Sequence, residues 1–476
     1  MAGGELKRTL GFWQTFATGV GLVVASSTLV TLGNGFGLGG PAFIIPAFAA
    51  CVISILIALS YAELANMIPG AGMVGDYTAP ALGRLPAIFA VLGGYVVLAF
   101  AAGAAESLVA GVSINGLVPA LPPVLVAGAI IIVFFGVNML GVELFGKTQV
   151  LLTSVLMATI AVLGVVGLLG LGGGTPVSGL TFNPGGWGQL SQLVALGIWL
   201  YIGIEFVCPM SEEIRNPERN IARAMLIGLV AIFVADMLFG LAMVRYTDLE
   251  ALASSTTPHV VGAEGIAGNF GLLWVSAMTL LAAASSIDTL IAAIPRMLYG
   301  LAREGMLPRI FAYVNPRFRT PWVAICAVTL LIAAPLALAI TIDTIITLIL
   351  IAAVTWLVSY IIAQVDVIVL RRKYPDARRP FKTPFYPVPQ VLDIAASVYM
   401  ILSVHPDPAT RNTIWLFAGL LALVILVYAV VWLKFVRKMP LFTPVPLDEE
   451  LKIIREHSEP IESEPVDAGT TRGAKS

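Results

Sequence analysis

The chain has 476 residues, of which 58% are hydrophobic and 12% are charged, and its net charge is -1. A soluble domain carries roughly 25% charged residues, so this composition leaves too little polar surface for a water-soluble globule. The near-zero net charge argues against a nucleic-acid partner, and the mean hydropathy of +0.93 indicates a protein that lies in the lipid bilayer.

Twelve apolar segments follow one another along the chain, most of them close to or above the roughly 20 residues that a helix needs to cross a bilayer. The predicted spans are 12–36, 41–66, 86–114, 122–140, 148–171, 189–211, 223–244, 270–300, 321–339, 343–369, 388–405 and 413–433. They form one transmembrane domain, residues 12–433, after a cytoplasmic N-terminus of residues 1–11. The polar tail, residues 434–476, is predicted to be disordered and cytoplasmic. The predicted fold class is therefore an all-α integral membrane protein with about twelve transmembrane helices.

The positive charges indicate the orientation of these spans. If the N-terminus lies in the cytoplasm and the chain crosses the membrane an even number of times, all but two of the 27 Lys and Arg residues fall on the cytoplasmic side. The two exceptions are Arg245 and Arg411. Because Lys and Arg concentrate in cytoplasmic loops, we expect a multi-pass protein of the plasma (inner) membrane with both termini in the cytoplasm.

Two of the spans carry small, polar or charged residues at membrane depth. Span 1 contains the sequence ASST at residues 25–28, and span 6 contains WLYIGIE at residues 199–205. Interrupted helices at matching positions of two halves are typical of a transporter binding site, because unwound backbone at that depth needs a ligand, an ion or water. Close helix packing by small residues is the alternative for span 1 alone, and the pairing with span 6 favours a site.

Five segments in order resemble the amino acid–polyamine–organocation (APC) family. They are SYAELA at 60–65 with IPGAG at 68–72, GIE at 203–205 with EEIRNPERNI at 212–221, RMLYGLAREGMLP at 296–308, NPRFRTP at 315–321, and LRRKYPD at 370–376 with RPF at 379–381. The resemblance implies a five-plus-five inverted repeat, with repeats at about 12–171 and 189–369 and two further helices within 388–433. It also implies broken helices 1 and 6 and transport by alternating access.

The resemblance also implies where the substrate binds. The first helix of that family breaks at a Gly-Ser-Gly-like stretch that holds the substrate carboxylate, and Ala25, Ser26 and Ser27 match it here. A helix N-terminus attracts a carboxylate, whereas freed carbonyls or the carboxylate of Glu205 can hold an ammonium, and Trp199 matches an aromatic lid. The predicted substrate-binding residues are Ala25, Ser26, Ser27, Thr28, Trp199, Tyr201, Ile202, Gly203 and Glu205.

Four further carboxyl groups lie deep in the spans, where charges are costly and usually functional. They are Glu63, Glu106, Asp236 and Asp288. We expect Asp288 to face the core and to take part in cation, proton or amine binding. Ser285 and Ser286 resemble the hydroxyls that bind sodium in transporters of the same fold. The coupling ion stays open between Na+ at Ser285 with first-helix carbonyls and H+ through Asp288 or Glu205, with simple exchange as a third alternative.

The sequence predicts a carrier rather than an enzyme or a channel. It contains no HExxH, no GxSxG and no histidine beside a deep carboxylate, and a channel would need a pore ring repeated by oligomeric symmetry. The expected function is secondary active transport of amino acids by symport or exchange. A polyamine or another organic amine is the alternative, which the deep carboxylates favour. The predicted partners are the small-molecule substrate and the bilayer, without a cofactor, and the oligomeric state stays open.

Overall fold

The computed structural model describes residues 6–338, 342–405 and 407–457. Their regular structure is helical, apart from one isolated bridge between Leu10 and Ile214. Seven helices in these ranges are long and apolar enough to cross a membrane, and three shorter apolar helices accompany them. This number of apolar helices makes the chain a multi-pass membrane protein.

Each of the twelve predicted spans coincides with one helix or with two consecutive helices. The helices are α1 (Phe12–Val23), α2 (Ser26–Gly39), α3 (Ile44–Met67), α4 (Val74–Leu82), α5 (Arg84–Val91), α6 (Val97–Leu117), α7 (Pro123–Met139), α8 (Val142–Leu169), α9 (Gly186–Ile198), α10 (Pro217–Tyr246), α11 (Leu249–Ser254), α12 (Pro258–Arg303), α13 (Trp322–Ala337), α14 (Ile342–Lys373), α15 (Val388–Leu402), α16 (Pro408–Val430) and α17 (Leu447–Glu456). The predicted fold class is confirmed.

Both predicted helix breaks are present. Span 1 consists of α1 and α2, and Ala25 between them has an extended backbone with φ -85° and ψ 169°. Span 6 consists of α9 and a short 3-10 helix, Ile204–Met210. Gly203 precedes that 3-10 helix with φ 104°, a conformation that glycine adopts without strain. The local sequence therefore fixes where each of the two helices unwinds.

Close packing of small residues brings the broken helices together with their neighbours. The helix α1 packs on α8, α10 and α12, while α6 packs on α7, α12, α13 and α14. At the contact of α8 with α10, a Cβ atom added to Gly164 would lie 2.6 Å from the backbone of Leu238. Helices in lipid associate through such close backbone approaches, and the breaks consequently lie at the centre of the bundle.

One end of the bundle is held by buried ion pairs, and we name it the basic end. Arg296 donates two hydrogen bonds to the carboxylate of Glu213, and both side chains are almost fully buried. The other pairs described there are Arg303 with Asp76, Arg303 with Glu212, Arg371 with Glu63 and Arg379 with Glu63. Each pair joins segments that are distant in sequence, so together they tie the helix ends into one layer. Glu63 is accordingly a structural residue at this end.

The polar tail is partly ordered, and the prediction of disorder from residue 434 is wrong for the described residues. A π-helical turn, Val431–Arg437, continues α16, and α17 follows at Leu447–Glu456. Val445, Leu447 and Ile454 are buried, because their apolar side chains give the polar segment one face that packs on the basic end. Residues 458–476 of the tail lie outside the described residues.

Candidate functional site

A small cavity of about 50 Å³ lies where the two helix breaks meet. Its lining is mostly apolar and comes from α1, α2, α6, α12, α14 and the break after α9. The lining residues are Leu22, Val23, Ala25, Ser27, Thr28, Leu98, Ala102, Glu106, Trp199, Ile202, Ser286, Leu290 and Trp356. This volume holds only a few water molecules, so a substrate needs the lining to move apart.

Glu106 supplies the carboxylate of this cavity and lies against the first turn of α2. Its Oε2 accepts a hydrogen bond from the Ser26 hydroxyl at 2.5 Å and from the Ser27 backbone N–H at 3.2 Å. The side chain is 5% exposed. A helix N-terminus favours a negative group through its free N–H groups and its dipole. Glu106 therefore occupies the position that we predicted for a substrate carboxylate.

Trp199 and Thr28 complete the polar part of the cavity. The indole N–H of Trp199 donates to the Ser27 hydroxyl at 3.3 Å, which joins the break in span 6 to the break in span 1. The Thr28 hydroxyl donates to the carbonyl of Ala25 at 2.8 Å and so satisfies a backbone group that the unwinding frees. The predicted aromatic lid thus lies over the start of α2.

Glu205 lies one layer behind the cavity, within a cluster of aromatic side chains. Its Oε1 accepts from the hydroxyl of Tyr360 at 2.7 Å and from that of Tyr95 at 3.5 Å, and Tyr95 in turn contacts the Tyr61 hydroxyl at 2.9 Å. The ring of Trp356 lies 5.5 Å from that of Tyr360 and separates Glu205 from the cavity. Within the described ranges, the second oxygen of Glu205 has no hydrogen-bond partner.

The predicted sodium position is filled by the side chain of Gln149 on α8. Its amide nitrogen donates to the hydroxyl of Ser285 at 2.7 Å, to that of Thr289 at 2.9 Å and to the carbonyl of Ala17 at 3.4 Å. A Cβ atom on Gly21 would lie 2.3 Å from both the Gln149 amide nitrogen and the Ser285 hydroxyl. The oxygens of Ser285, Thr289 and Ala17 therefore already accept hydrogen bonds from the Gln149 amide, in a tightly packed space.

Other predicted residues lie outside the cavity lining. Asp288 is fully buried and faces α7, where it accepts from the Asn138 side chain at 2.7 Å. Tyr201 is buried beside Phe233, at 6.5 Å between ring centroids. Gly203 shapes the backbone of the break without lining the cavity. Asp288 faces the protein core as expected, but it has no contact with the cavity that Glu106 lines.

Several lining residues were missed by the sequence interpretation. Leu22, Leu98, Ala102, Leu290 and Trp356 belong to uniformly apolar runs, in which no local pattern distinguishes a cavity wall from a lipid-facing side. Gln149 carried a usable signal, because an amide side chain within an apolar span needs an internal partner. That signal would have pointed to α8 as the helix that packs against Ser285.

Comparisons with known proteins identify relatives over most of the chain. A family profile described as "Amino acid permease" matches residues 10–442. The branched-chain amino acid permease BcaP of Bacillus subtilis is 24% identical over 87% of this chain and 92% of its own, and the methylthioribose transporter of the same organism is 26% identical over 88% and 93%. The human cystine/glutamate transporter is 28% identical over 75% and 72%.

A solved structure shares the fold. The nucleobase-cation-symport-1 family transporter Mhp1, in a closed conformation with bromovinylhydantoin bound, superposes with a TM-score of 0.57 at 14% identity. The match covers 95% of this chain and 98% of that one. At this identity the likeness concerns the arrangement of helices alone.

Proposed function

The chain belongs to the amino acid permease family, and from that premise we propose that it carries an amino acid across the plasma membrane by alternating access, through symport or exchange. The observation that carries this proposal is the Glu106 carboxylate at the start of α2, inside the cavity between the two helix breaks. In this proposal the basic end faces the cytoplasm, since the topology predicted from the sequence assigns all but two of the Lys and Arg residues to that side.

The site recognises the two poles of an amino acid through an exchange of partners. Without substrate, the Glu106 carboxylate accepts the hydrogen bonds from Ser26 and Ser27 that a substrate carboxylate would otherwise accept. An arriving substrate carboxylate takes over these donors, and the freed Glu106 pairs with the substrate ammonium. Both poles then have charged or dipolar partners in a poorly hydrated space, where such hydrogen bonds are stronger than in water.

Opening and closing follow from the two sets of contacts around the cavity. On one side, the bond from Trp199 to Ser27 ties the two breaks together over the site. On the other, the buried pair of Arg296 with Glu213 closes the basic end. Alternating access requires these two sets of contacts to break in turn, so that the substrate is released towards the cytoplasm only when the basic end separates.

An organic amine or polyamine is the second candidate substrate. The same carboxylate supports it, because Glu106 already occupies the carboxylate position and leaves an acidic group in the cavity for a cation. A substrate without a carboxylate would bind to Glu106 directly and would leave its bonds to Ser26 and Ser27 in place. The two candidates therefore differ in whether Ser27 contacts the substrate.

We expect substrate uptake to be unchanged when external sodium is replaced by choline. The amide of Gln149 donates to Ser285 and Thr289, so the hydroxyl oxygens that a sodium ion would need are engaged with an N–H donor. Proton coupling or exchange is accordingly favoured, with Glu106 and Glu205 as the buried carboxylates nearest the substrate. Initial uptake rates into proteoliposomes in the two salts measure this, and loss of uptake in choline would restore sodium at Ser285.

Counterflow in proteoliposomes tests the proposed function. Vesicles with the purified protein are preloaded with an amino-acid mixture and then challenged with labelled amino acids or, separately, with labelled polyamines. Transient accumulation of a labelled amino acid above equilibrium is expected of a carrier and excludes a channel. Accumulation of polyamines alone would replace the amino acid by the second candidate, and absence of counterflow with either would contradict the proposal.

A further inference from the structure

Three carboxyl groups from distant segments meet at the basic end, under the C-terminal helix α17. Asp76 lies in the first turn of α4, Glu304 directly follows α12, and Glu450 lies on α17. One oxygen from each of them lies within 4.8 Å of the others. Nothing in the proposed transport mechanism uses these groups.

These carboxyl groups lack the partners that buried acids normally have. Glu450 is fully buried, and apart from the Glu304 carboxyl group neither of its oxygens has a hydrogen-bond partner among the described residues. Asp76 is also fully buried, and its Oδ2 accepts from the backbone N–H of Gly72 and from Arg303. In the described part of the chain, its Oδ1 has no partner apart from the Glu304 carboxyl group. Buried polar atoms without partners are costly, and a bound ion or water can supply the missing contacts.

In ionised form, the three carboxyl groups would carry more negative charge than Arg303, with a smaller contribution from Arg84, offsets. Arg303 is shared between Asp76 and Glu212. Burial, followed by the charge of Asp76, raises the pKa of Glu450 to about 8. Burial and the charge of Glu304 raise the pKa of Asp76, and burial and the charge of Glu450 raise the pKa of Glu304. A further positive charge would relieve this mutual repulsion.

We propose that Asp76, Glu304 and Glu450 bind a hard divalent cation, with Ca²⁺ the best match, and that the ion fastens α17 to α4 and α12. Ca²⁺ takes oxygen ligands at about 2.3–2.6 Å, so opposite ligands lie about 5 Å apart. One oxygen of each group lies within 4.8 Å of the others, so a single ion between them can contact all three. Mg²⁺ demands near-ideal octahedral geometry and usually binds through one or two carboxylates, so a set of three carboxyl groups favours Ca²⁺.

The ion would hold a segment that is otherwise attached by few polar contacts. The backbone N–H of Val445 donates to the carbonyl of Ala79 at 3.0 Å, and that of Leu447 to the Tyr374 hydroxyl at 3.3 Å. Glu450 of α17 lies beside Glu304, which directly follows α12. The helix α12 also carries Arg296 and Ser286. Fastening α17 therefore restrains the helix that has to move when the basic end opens.

Sensitised terbium luminescence tests the site on the full-length protein in detergent after treatment with EDTA. The indole N–H of Trp432 donates to the carbonyl of Gly305 at 3.0 Å, next to Glu304, so tryptophan excitation should transfer energy to Tb³⁺ bound in the cluster. We expect a saturable signal that Ca²⁺ displaces. Glu450→Gln should weaken Tb³⁺ binding about tenfold or more, because it removes one ligand charge.

Glu449→Gln is the matched control, since Glu449 is exposed on the same helix and the charge change is identical. It should bind Tb³⁺ as the unaltered protein does. Hydrogen exchange gives a second readout: Ca²⁺ should slow exchange of the α17 amides in the unaltered protein and in Glu449→Gln, but not in Glu450→Gln. Equal Tb³⁺ affinity in the two variants, or protection of α17 that Ca²⁺ does not change, would overturn the site.

Discussion

Replacement of Glu106 by glutamine should reduce substrate uptake about tenfold to a hundredfold. Hydrogen bonds to charged groups contribute about 1.5–3 kcal/mol, and about 1.4 kcal/mol corresponds to a factor of ten. The amide can still accept from Ser26 and so preserves the start of α2, whereas the substrate ammonium loses its charged partner. Initial rates and counterflow in proteoliposomes with equal amounts of reconstituted protein measure the effect.

Glu143→Gln provides the control for this variant. Glu143 forms an exposed pair with Lys147 at 2.8 Å on the same bundle, and exposed pairs contribute little, so its uptake should match that of the unaltered protein. Unchanged uptake by Glu106→Gln would show that the carboxylate is a structural cap of α2. In that case the exchange of partners proposed for the substrate would have to be withdrawn.

Replacement of Arg296 by methionine should destabilise the folded protein by about 3–5 kcal/mol, because removal of one partner of a buried ion pair leaves the other charge uncompensated. Arg296 and Glu213 are 1% and 0% exposed, and Arg296 also donates to the carbonyl of Ala292. Reversible unfolding in mixed detergent micelles with increasing SDS measures the change in free energy.

The double variant Arg296→Met with Glu213→Leu separates charge from packing. An apolar pair of similar volume can replace a buried ion pair at little cost, so the double variant should recover most of the lost stability. Arg378→Met is the surface control, because Arg378 is 81% exposed in its pair with Glu218 and should change stability by at most about 1 kcal/mol. Equal destabilisation by Arg296→Met and Arg378→Met would contradict the role of the buried pair.

Transport gives a further readout of the same pair. If the contact of Arg296 with Glu213 closes the basic end, the double variant should open that end more readily, and the ratio of substrate efflux to uptake should change although the fold is stable. A merely structural pair would leave that ratio unaltered once stability is recovered. Measurements of stability and of transport on the same variants therefore separate the contribution of the ion pair to folding from its contribution to closing the basic end.

The amino-acid sequence alone was enough to predict the class of the protein, the approximate number of its membrane spans and the location of the two breaks. These properties depend on local composition: about 20 apolar residues can satisfy their backbone in lipid only as a helix. The small and polar residues around Ser26 and Gly203 interrupt such a helix wherever the rest of the chain lies. The structure confirmed the predicted fold class, and the family profile over residues 10–442 confirmed the predicted family.

Which side chains meet depends on the packing of helices that are distant in sequence. Glu106 contacts Ser26 across a sequence separation of 80 residues, and Gln149 contacts Ser285 across a separation of 136. Contacts between residues so far apart produce no periodic pattern in the sequence. The order of the tail has the same origin, since the buried apolar side chains of α17 pack on segments far away in sequence, as Ile454 does on Gly70. Hydrophobic runs specify that a helix spans the bilayer, whereas its rotation and its partners depend on packing with the other helices.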